Sequence, residues 1–535
     1  MSQTLKISAF LIVIALATSA PSFVDAKQTH YQTNADIKCF VFPSVISNTD
    51  NRWNAFRKKI IITSARNEYE NIQIACWPEK NFNNVKFSFR LESNAPTKLP
   101  NSNANSNIKI QFRKLSKFDK WDDALVPFDS LNLKAGHKTV VWMTIYIGKN
   151  VKPNSYTGII DILYNNRKIE IPITLIVWEF TIPETPSIPA AFGIFDNHLR
   201  EYYINIKPNT KQWRQLLADW YALICQYRIS PFFCHWQRWG YVITYPSPWK
   251  ITATESIKYL VNSKIARFPV PYIDENQFKK DIAYIKKKHL LNKAYVYFLD
   301  EPDRMKFFIS AQKIASEILK IEPQTKILAT FYCGPKDPPY NGDIFSIIKI
   351  LRGYIQIYCL SEWSTYGQKG ERFRKLLKPD EEYWLYTCNA PTSPHPNLHM
   401  TMTGYQHRAI MWRIWKQQAQ GFFYWAVNSW AIEKNKNSVK IKLRKNLPPG
   451  DGLQAYPGEL FATNKPVASV RLERFRDGME DYEYIRTLEK KYSRKKAQQI
   501  MNMIYISPEQ FTHNYTDIEK FRNKIITYIK QANKK

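Results

Sequence analysis

Apolar positions along this chain repeat in two ways, and the change from one to the other divides it. From residue 27 to about 180 the apolar residues come in short runs broken by turns. Ile72-Gln-Ile-Ala-Cys-Trp77, Val85-Lys-Phe-Ser-Phe89, Thr139 to Ile147 and Ile169 to Trp178 read as strands at the spacing of a β-sandwich. The polar stretch Asn101 to Asn107 reads as a loop. Proline then crowds the chain in Thr181-Ile-Pro-Glu-Thr-Pro-Ser-Ile-Pro189, which blocks both helix and central strand and marks a boundary.

From Ala190 the pattern alternates between short continuous apolar runs and helical periodicity. Strands are expected at 190–195, 229–236, 266–273, 294–299, 326–333, 354–360, 383–388 and 421–427. Trp213, Leu216, Leu217, Trp220, Leu223, Ile224 and Tyr227 make one helical face between the first two. Eight such units predict a (β/α)₈ barrel. Its third strand is the weakest, because prolines interrupt it. A helix begins near Val470 and runs toward Lys490, and the tail 491–535 reads as helical and basic, packed on the outside of the barrel. The expected fold class is therefore multidomain: signal peptide 1–26, β-sandwich 27–183, barrel 190–490 and helical tail 491–535.

Composition changes this picture in a few places. The chain has 535 residues, enough for several domains, and 15% are aromatic, which is ample for stacking on sugar rings. Lys6 followed by the uncharged Ile7 to Ala20, with Val24 and Ala26 placed for cleavage, reads as a secretory signal, too short for a membrane span. The expectation is a secreted or periplasmic protein whose mature chain has no membrane span. Seven cysteines without a C-x-x-C pair support neither a disulfide framework nor a metal site, and no cofactor is expected. The net charge of +31 is scattered over the sequence, with no nucleic-acid motif. A glycan partner is expected, and an anionic one is left open. Oligomeric state is not legible.

If the barrel is right, its strand ends form the catalytic rim. The most informative is the run Ala294 to Leu299, which stops at Asp300-Glu301-Pro302. Adjacent carboxylates repel, so one holds its proton to higher pH. A general acid beside a fixed anion is the equipment of glycoside hydrolysis. Successive strand residues face opposite ways, so both acids reach one pocket only if the strand end twists or bulges. The other ends offer His235 and Trp236, Glu362 and Trp363, Tyr386 and Asn389, and Trp425 and Asn428. These are substrate-binding candidates, because sugars need hydrogen-bonding groups beside flat apolar surfaces. Each also has a plainer reading: His235 as a loop histidine, Glu362 as an arginine partner, Asn428 as a turn cap.

Beyond single residues, an ordered series of motifs resembles the catalytic domain of glycoside hydrolase family 123. It comprises Phe298-Leu-Asp-Glu-Pro302, Tyr383 to Cys388, His407 to Trp412, Gly421-Phe-Phe-Tyr-Trp425, Gly450-Asp-Gly452, Ser469-Val-Arg-Leu-Glu473 and Glu480-Asp-Tyr-Glu-Tyr484. The resemblance implies an exo-acting β-N-acetylgalactosaminidase with substrate-assisted retention. Asp300 would orient the 2-acetamido group and Glu301 would serve as acid and then base. For Arg471, Glu473, Arg476 and Asp477 a structural ion network is expected. Two alternatives stay open: a retaining glycosidase with Glu301 as acid/base and Glu362 as covalent nucleophile, or a glycan-binding protein on an inactive barrel.

Overall fold

The computed structural model describes residues 36–47, 60–92, 107–237, 240–435 and 438–533. The expected signal peptide and the loop at 101–106 lie outside them.

The amino-terminal part is β-rich. Two five-stranded sheets draw their strands from Ile37–Pro43 through Arg167–Thr181. The long strand Arg167–Thr181 shows how they pack: Ile169, Ile171, Ile173, Leu175 and Val177 are buried at every second position. These meet Ile74, Val141, Met143 and Ile145 of the facing sheet in one core. Cys39 and Cys76 are register partners on neighbouring strands, with sulfurs 3.5 Å apart, and all seven cysteines are free thiols.

The second part is a nearly closed barrel. Its strands are β1 (Ala190–Phe195), β2 (Ser230–Trp236), β3 (Val242–Tyr245), β4 (Phe268–Pro269), β5 (Ala294–Leu299), β6 (Ile327–Phe331), β7 (Ile357–Ser361), β8 (Glu382–Thr387) and β9 (Gly421–Tyr424). They form one nine-stranded sheet in the order β3-β2-β1-β9-β8-β7-β6-β5-β4. All neighbours are parallel except β3, which runs antiparallel to β2. Most of these strands are buried along their whole length, as parallel strands covered on both faces must be. Tyr295 and Tyr297 point inward among Trp384, Tyr386 and Phe423, while Val296 and Phe298 join the outer core against the helices.

The third barrel position departs from expectation. The run at 266–273 keeps only Phe268–Pro269 as strand, because Pro269 and Pro271 have no N–H to donate. Phe268–Pro269 pairs with the start of β5, and a bridge from Tyr241 to Leu299 closes the upper part. The stave is thus made of two separate chain segments.

Helices α1 (Lys211–Cys225), α2 (Glu275–Lys287), α3 (Gly404–Lys416), α4 (Val470–Lys491) and α5 (Tyr515–Asn533) place the rest. α4 is buried on all sides from Val470 to Ile485 although it is rich in charge. Glu473 meets Arg113 at 2.7 Å, Arg471 meets Asp123 at 2.8 Å, and Asp481 meets Arg408 at 2.6 Å, so the ion network expected there joins the sheets to the barrel. The proline-rich bridge is packed rather than free: Ile182 and Ile188 are buried, and Ser187 donates to Glu483 at 2.6 Å.

The tail corrects a second expectation. Its helices Arg494–Met501 and α5 are separated by a small hairpin, Tyr505–Ser507 with Gln510–Phe511. α5 also reaches beyond the barrel surface. Arg522 pairs with Glu68 and, at 2.7 Å, with Glu70 of the amino-terminal sheets.

Candidate active site

The apolar run of β5 ends in the geometry that two neighbouring acids need. A bulge shifts the β5–β6 register between Tyr297 and Leu299, and Glu301 takes a left-handed φ of 44°. That conformation costs a non-glycine residue free energy, so it persists only where surrounding contacts impose it. Thr330 of β6 supplies two of them. Its hydroxyl accepts from the Glu301 N–H at 3.1 Å and donates to Asp300 Oδ1 at 2.7 Å. The Tyr297 hydroxyl donates to the same oxygen at 2.7 Å, and the Asp300 N–H donates to the Gly240 carbonyl at 2.9 Å. Tyr386 of β8 donates its hydroxyl to Glu301 Oε1. Both acids are therefore held by inward-facing tyrosines of one barrel interior.

Both titrate upward. Burial raises Asp300, opposed by the hydroxyls of Thr330 and Tyr297, which favour its charged form. Burial raises Glu301 to about 7, with the Asp300 charge pushing the same way and Tyr386 opposing. Among the described residues neither acid has a cationic partner. The pair holds a proton near neutrality, and two donors on Asp300 against one on Glu301 bias that proton toward Glu301.

Beside the acids lies an aromatic wall. Trp236 is 37% exposed and lies nearly parallel to Phe195, with centroids 6.1 Å apart. Phe195 meets Trp425 edge-on at 5.7 Å. Asp451, pushed up to about 6 by burial, accepts from the Trp425 indole N–H at 3.1 Å and fixes that ring. Trp236, Tyr386 and Trp425 thus gather with the acid pair in the mouth.

Other candidates fall elsewhere. Glu362 is fully buried and pairs with Arg413 of α3 at 2.8 Å, behind the barrel wall. It cannot act as a nucleophile in the mouth, and the arginine-partner reading holds. Asn428 is also fully buried: its Oδ1 accepts from the Phe195 N–H at 2.8 Å and its Nδ2 donates to the Phe195 carbonyl at 2.9 Å. Both amide atoms are spent on β1 backbone, so it does not bind sugar. His235 points to the outer side of β2, with Nδ1 3.1 Å from Asp196 Oδ1. Trp363, 61% exposed, and Asn389 stand on the rim, apart from the hydrogen bonds that hold the acids.

Tyr297, Thr330 and Asp451 escape a reading of the sequence. Thr330 sits at the end of β6, the same kind of position that exposed Glu301, so the strand-end rule could have found it. Asp451 lies within the motif Gly450-Asp-Gly452, where spacing alone assigns it no role.

The comparisons agree with this geometry. Residues 233–488 match the family model described as glycoside hydrolase 123, catalytic domain. Among solved structures, a family 123 glycoside hydrolase from Clostridium perfringens aligns with a TM-score of 0.62 at 14% identity, covering 93% of this chain and 99% of that one. A Parabacteroides merdae β-glucuronidase aligns over 72% of this chain and 47% of its own at 9% identity, but its TM-score of 0.26 carries no argument. No curated protein matches significantly. Residues 233–488 carry the catalytic domain of glycoside hydrolase family 123, and the chain is a glycoside hydrolase.

Proposed function

We propose that the protein is an exported glycosidase that removes terminal β-linked N-acetylhexosamine, with N-acetylgalactosamine favoured, by substrate-assisted retention. The observation that carries this reading is the bulged, left-handed end of β5, which gives two adjacent acids one mouth. Asp300, fixed by two hydroxyl donors, accepts the N–H of the 2-acetamido group and turns the carbonyl oxygen toward the anomeric carbon. That oxygen attacks C1 while Glu301 gives its proton to the departing glycosidic oxygen. An oxazolinium forms, and its positive charge rests beside the Asp300 carboxylate. Glu301, now a carboxylate, takes a proton from water, which opens the ring from the face the leaving group left. The configuration at C1 is retained.

A folded pKa of about 7 lets Glu301 serve in both steps near neutrality. The substrate supplies the nucleophile, so the mouth needs no carboxylate to attack C1, which accords with Glu362 lying outside it. The Clostridium perfringens protein is described as hydrolysing glycolipid glycans, and glycans of that kind suit this site. The apolar segment Ile7 to Ala20 supports export.

A panel of chromogenic β-glycosides, with and without the 2-acetamido group, tests the reading on wild type and on Asp300→Asn. Turnover should need that group and should collapse in the variant. Equal turnover of glucosides or galactosides would remove the mechanism.

A further inference from the structure

A large cleft lies next to the mouth rather than in it. A cleft of about 1090 Å³ runs along the outer side of β2 and β3, between α1 and the start of α2. It exists because the chain after β3 makes no long helix: only Thr254–Ser256 and Ile257–Leu260 are helical before β4. The space that a covering helix would fill stays open. Its volume is at the upper end of small-molecule sites, roughly 300–1,000 Å³.

The cleft and the mouth share one hairpin wall. Phe233 and Tyr245 are cross-strand partners on the outer face and line the cleft. Thr244, on the inner face, donates to the Tyr297 carbonyl at 3.1 Å, and Tyr297 holds Asp300. Over the top, the consecutive residues Trp236 and His235 look opposite ways, one into the mouth and one toward Asp196. Asp196 comes directly after β1 and lines the cleft, so both openings are at the same end of the barrel. A chain of sugars leaving the mouth across Trp236 passes His235 and Asp196 and enters the cleft.

The lining says what kind of chain this is. Trp249 and Tyr245, both half-buried, present aromatic rings beside hydrogen-bonding side chains, as sugar rings require, with Trp213 and Phe233 buried beneath them. The carboxylates are Asp196, Asp274, Glu275 and Asp281. The cations are Arg200, Arg214, Lys250 and Lys280, so four negative charges balance four positive. On a chain of net charge +31, a balanced cleft is a departure from the average and offers no excess field to an anion.

We infer that this cleft binds the leaving-group side of the substrate, as a neutral oligosaccharide several residues long. The inference rests on the glycosidase reading above and extends it, making the enzyme selective for the sugars to which the terminal residue is attached.

The test compares Trp249→Ala with wild type on two substrates that share a terminal β-linked N-acetylgalactosamine. One is the p-nitrophenyl glycoside and the other a neutral tetrasaccharide. The variant should lose about tenfold in kcat/KM on the tetrasaccharide and change less than about twofold on the aryl glycoside. Arg214→Ala, on the α1 surface, should show the same pattern at about threefold and guards against a folding effect at Trp249. Equal losses on both substrates, no loss on either, or a preference for a sulfated tetrasaccharide overturns the inference. If wild type turns over neither substrate, the proposed function falls, and calorimetry with the same tetrasaccharide decides the cleft. Binding by wild type that weakens in Trp249→Ala upholds it, and no binding removes it.

Discussion

Glu301 and Glu362 come after β5 and β7, two strand ends of one barrel, and burial pushes each up to about 7. Their surroundings differ in kind. Glu301 stands in the mouth beside another carboxylate, with a tyrosine hydroxyl on its oxygen and no cation among the described residues. Glu362 stands behind the wall with the Arg413 guanidinium at 2.8 Å. The same shift therefore marks the proposed proton donor in one place and a wall-to-helix fastening in the other. A raised pKa reports burial; the partner reports the use. The α4 network makes the point again. Burial pushes Glu473 up, but Arg113 and Arg476 outweigh it and hold that carboxyl below its ordinary value, whereas burial takes Glu480 to about 8, with Arg228 pulling down and the Glu68 charge pushing up.

Substitutions can break or sharpen this contrast. Glu301→Gln should lower kcat/KM by about 10²–10⁴-fold, the usual worth of a general acid, with the fold intact by circular dichroism. A residual rate within tenfold of wild type would erase the difference between the two glutamates. Glu362→Gln should do the reverse. It strands Arg413 in a dry site, at a cost of about 3–5 kcal/mol in denaturant unfolding, with kcat unchanged for the folded fraction. Arg413→Met should cost less, because Glu362 can then take a proton and become neutral.

Subtler changes address how the mouth is held. Thr330→Val keeps the shape, removes a donor to Asp300 and frees the Glu301 N–H. It should cost about tenfold in kcat with little change in stability, and retained activity would show that Tyr297 alone fixes Asp300. The pH dependence should track Glu301. Bond cleavage needs its proton, so kcat/KM should fall as pH rises through about 7. Stability should fall earlier, as pH rises from the unfolded carboxyl's value to about 7, and then level off. The unfolded carboxyl titrates at about 4.3, so between there and about 7 the native state holds a proton that the unfolded state lacks. Glu301→Gln should therefore be about 1–3 kcal/mol more stable than wild type at pH 8 and nearly equal to it at pH 4. His235→Ala, on the cleft side of β2, should change turnover of an aryl glycoside less than about threefold.

Much of this was legible in the chain. Continuous apolar runs marked the barrel strands because parallel strands are buried on both faces, and the abrupt end of β5 exposed Asp300 and Glu301. What escaped depended on direction. Sequence spacing put Asn428 at a strand end but could not show its amide turned back onto Phe195. It offered Glu362 as an arginine partner or a nucleophile and could not choose between them, because Arg413 lies on a helix far along the chain. Thr330 and Tyr297 carry no charge and drew no notice, though they orient the acid that does. The motif series was informative in an unexpected way. Its last segments, Ser469 to Tyr484, form a buried girder between the two halves and contribute nothing to the mouth.

The split third stave has a wider bearing. Because its lower piece and its upper piece come from different stretches of chain, the 246–267 connection can lengthen, shorten or change composition without unzipping the sheet. The acids sit on the other side of that partition, anchored to β5, β6 and β8. On the proposed reading, a change in that connection would alter which sugars are gripped beyond the cleaved bond while the acids stay where they are.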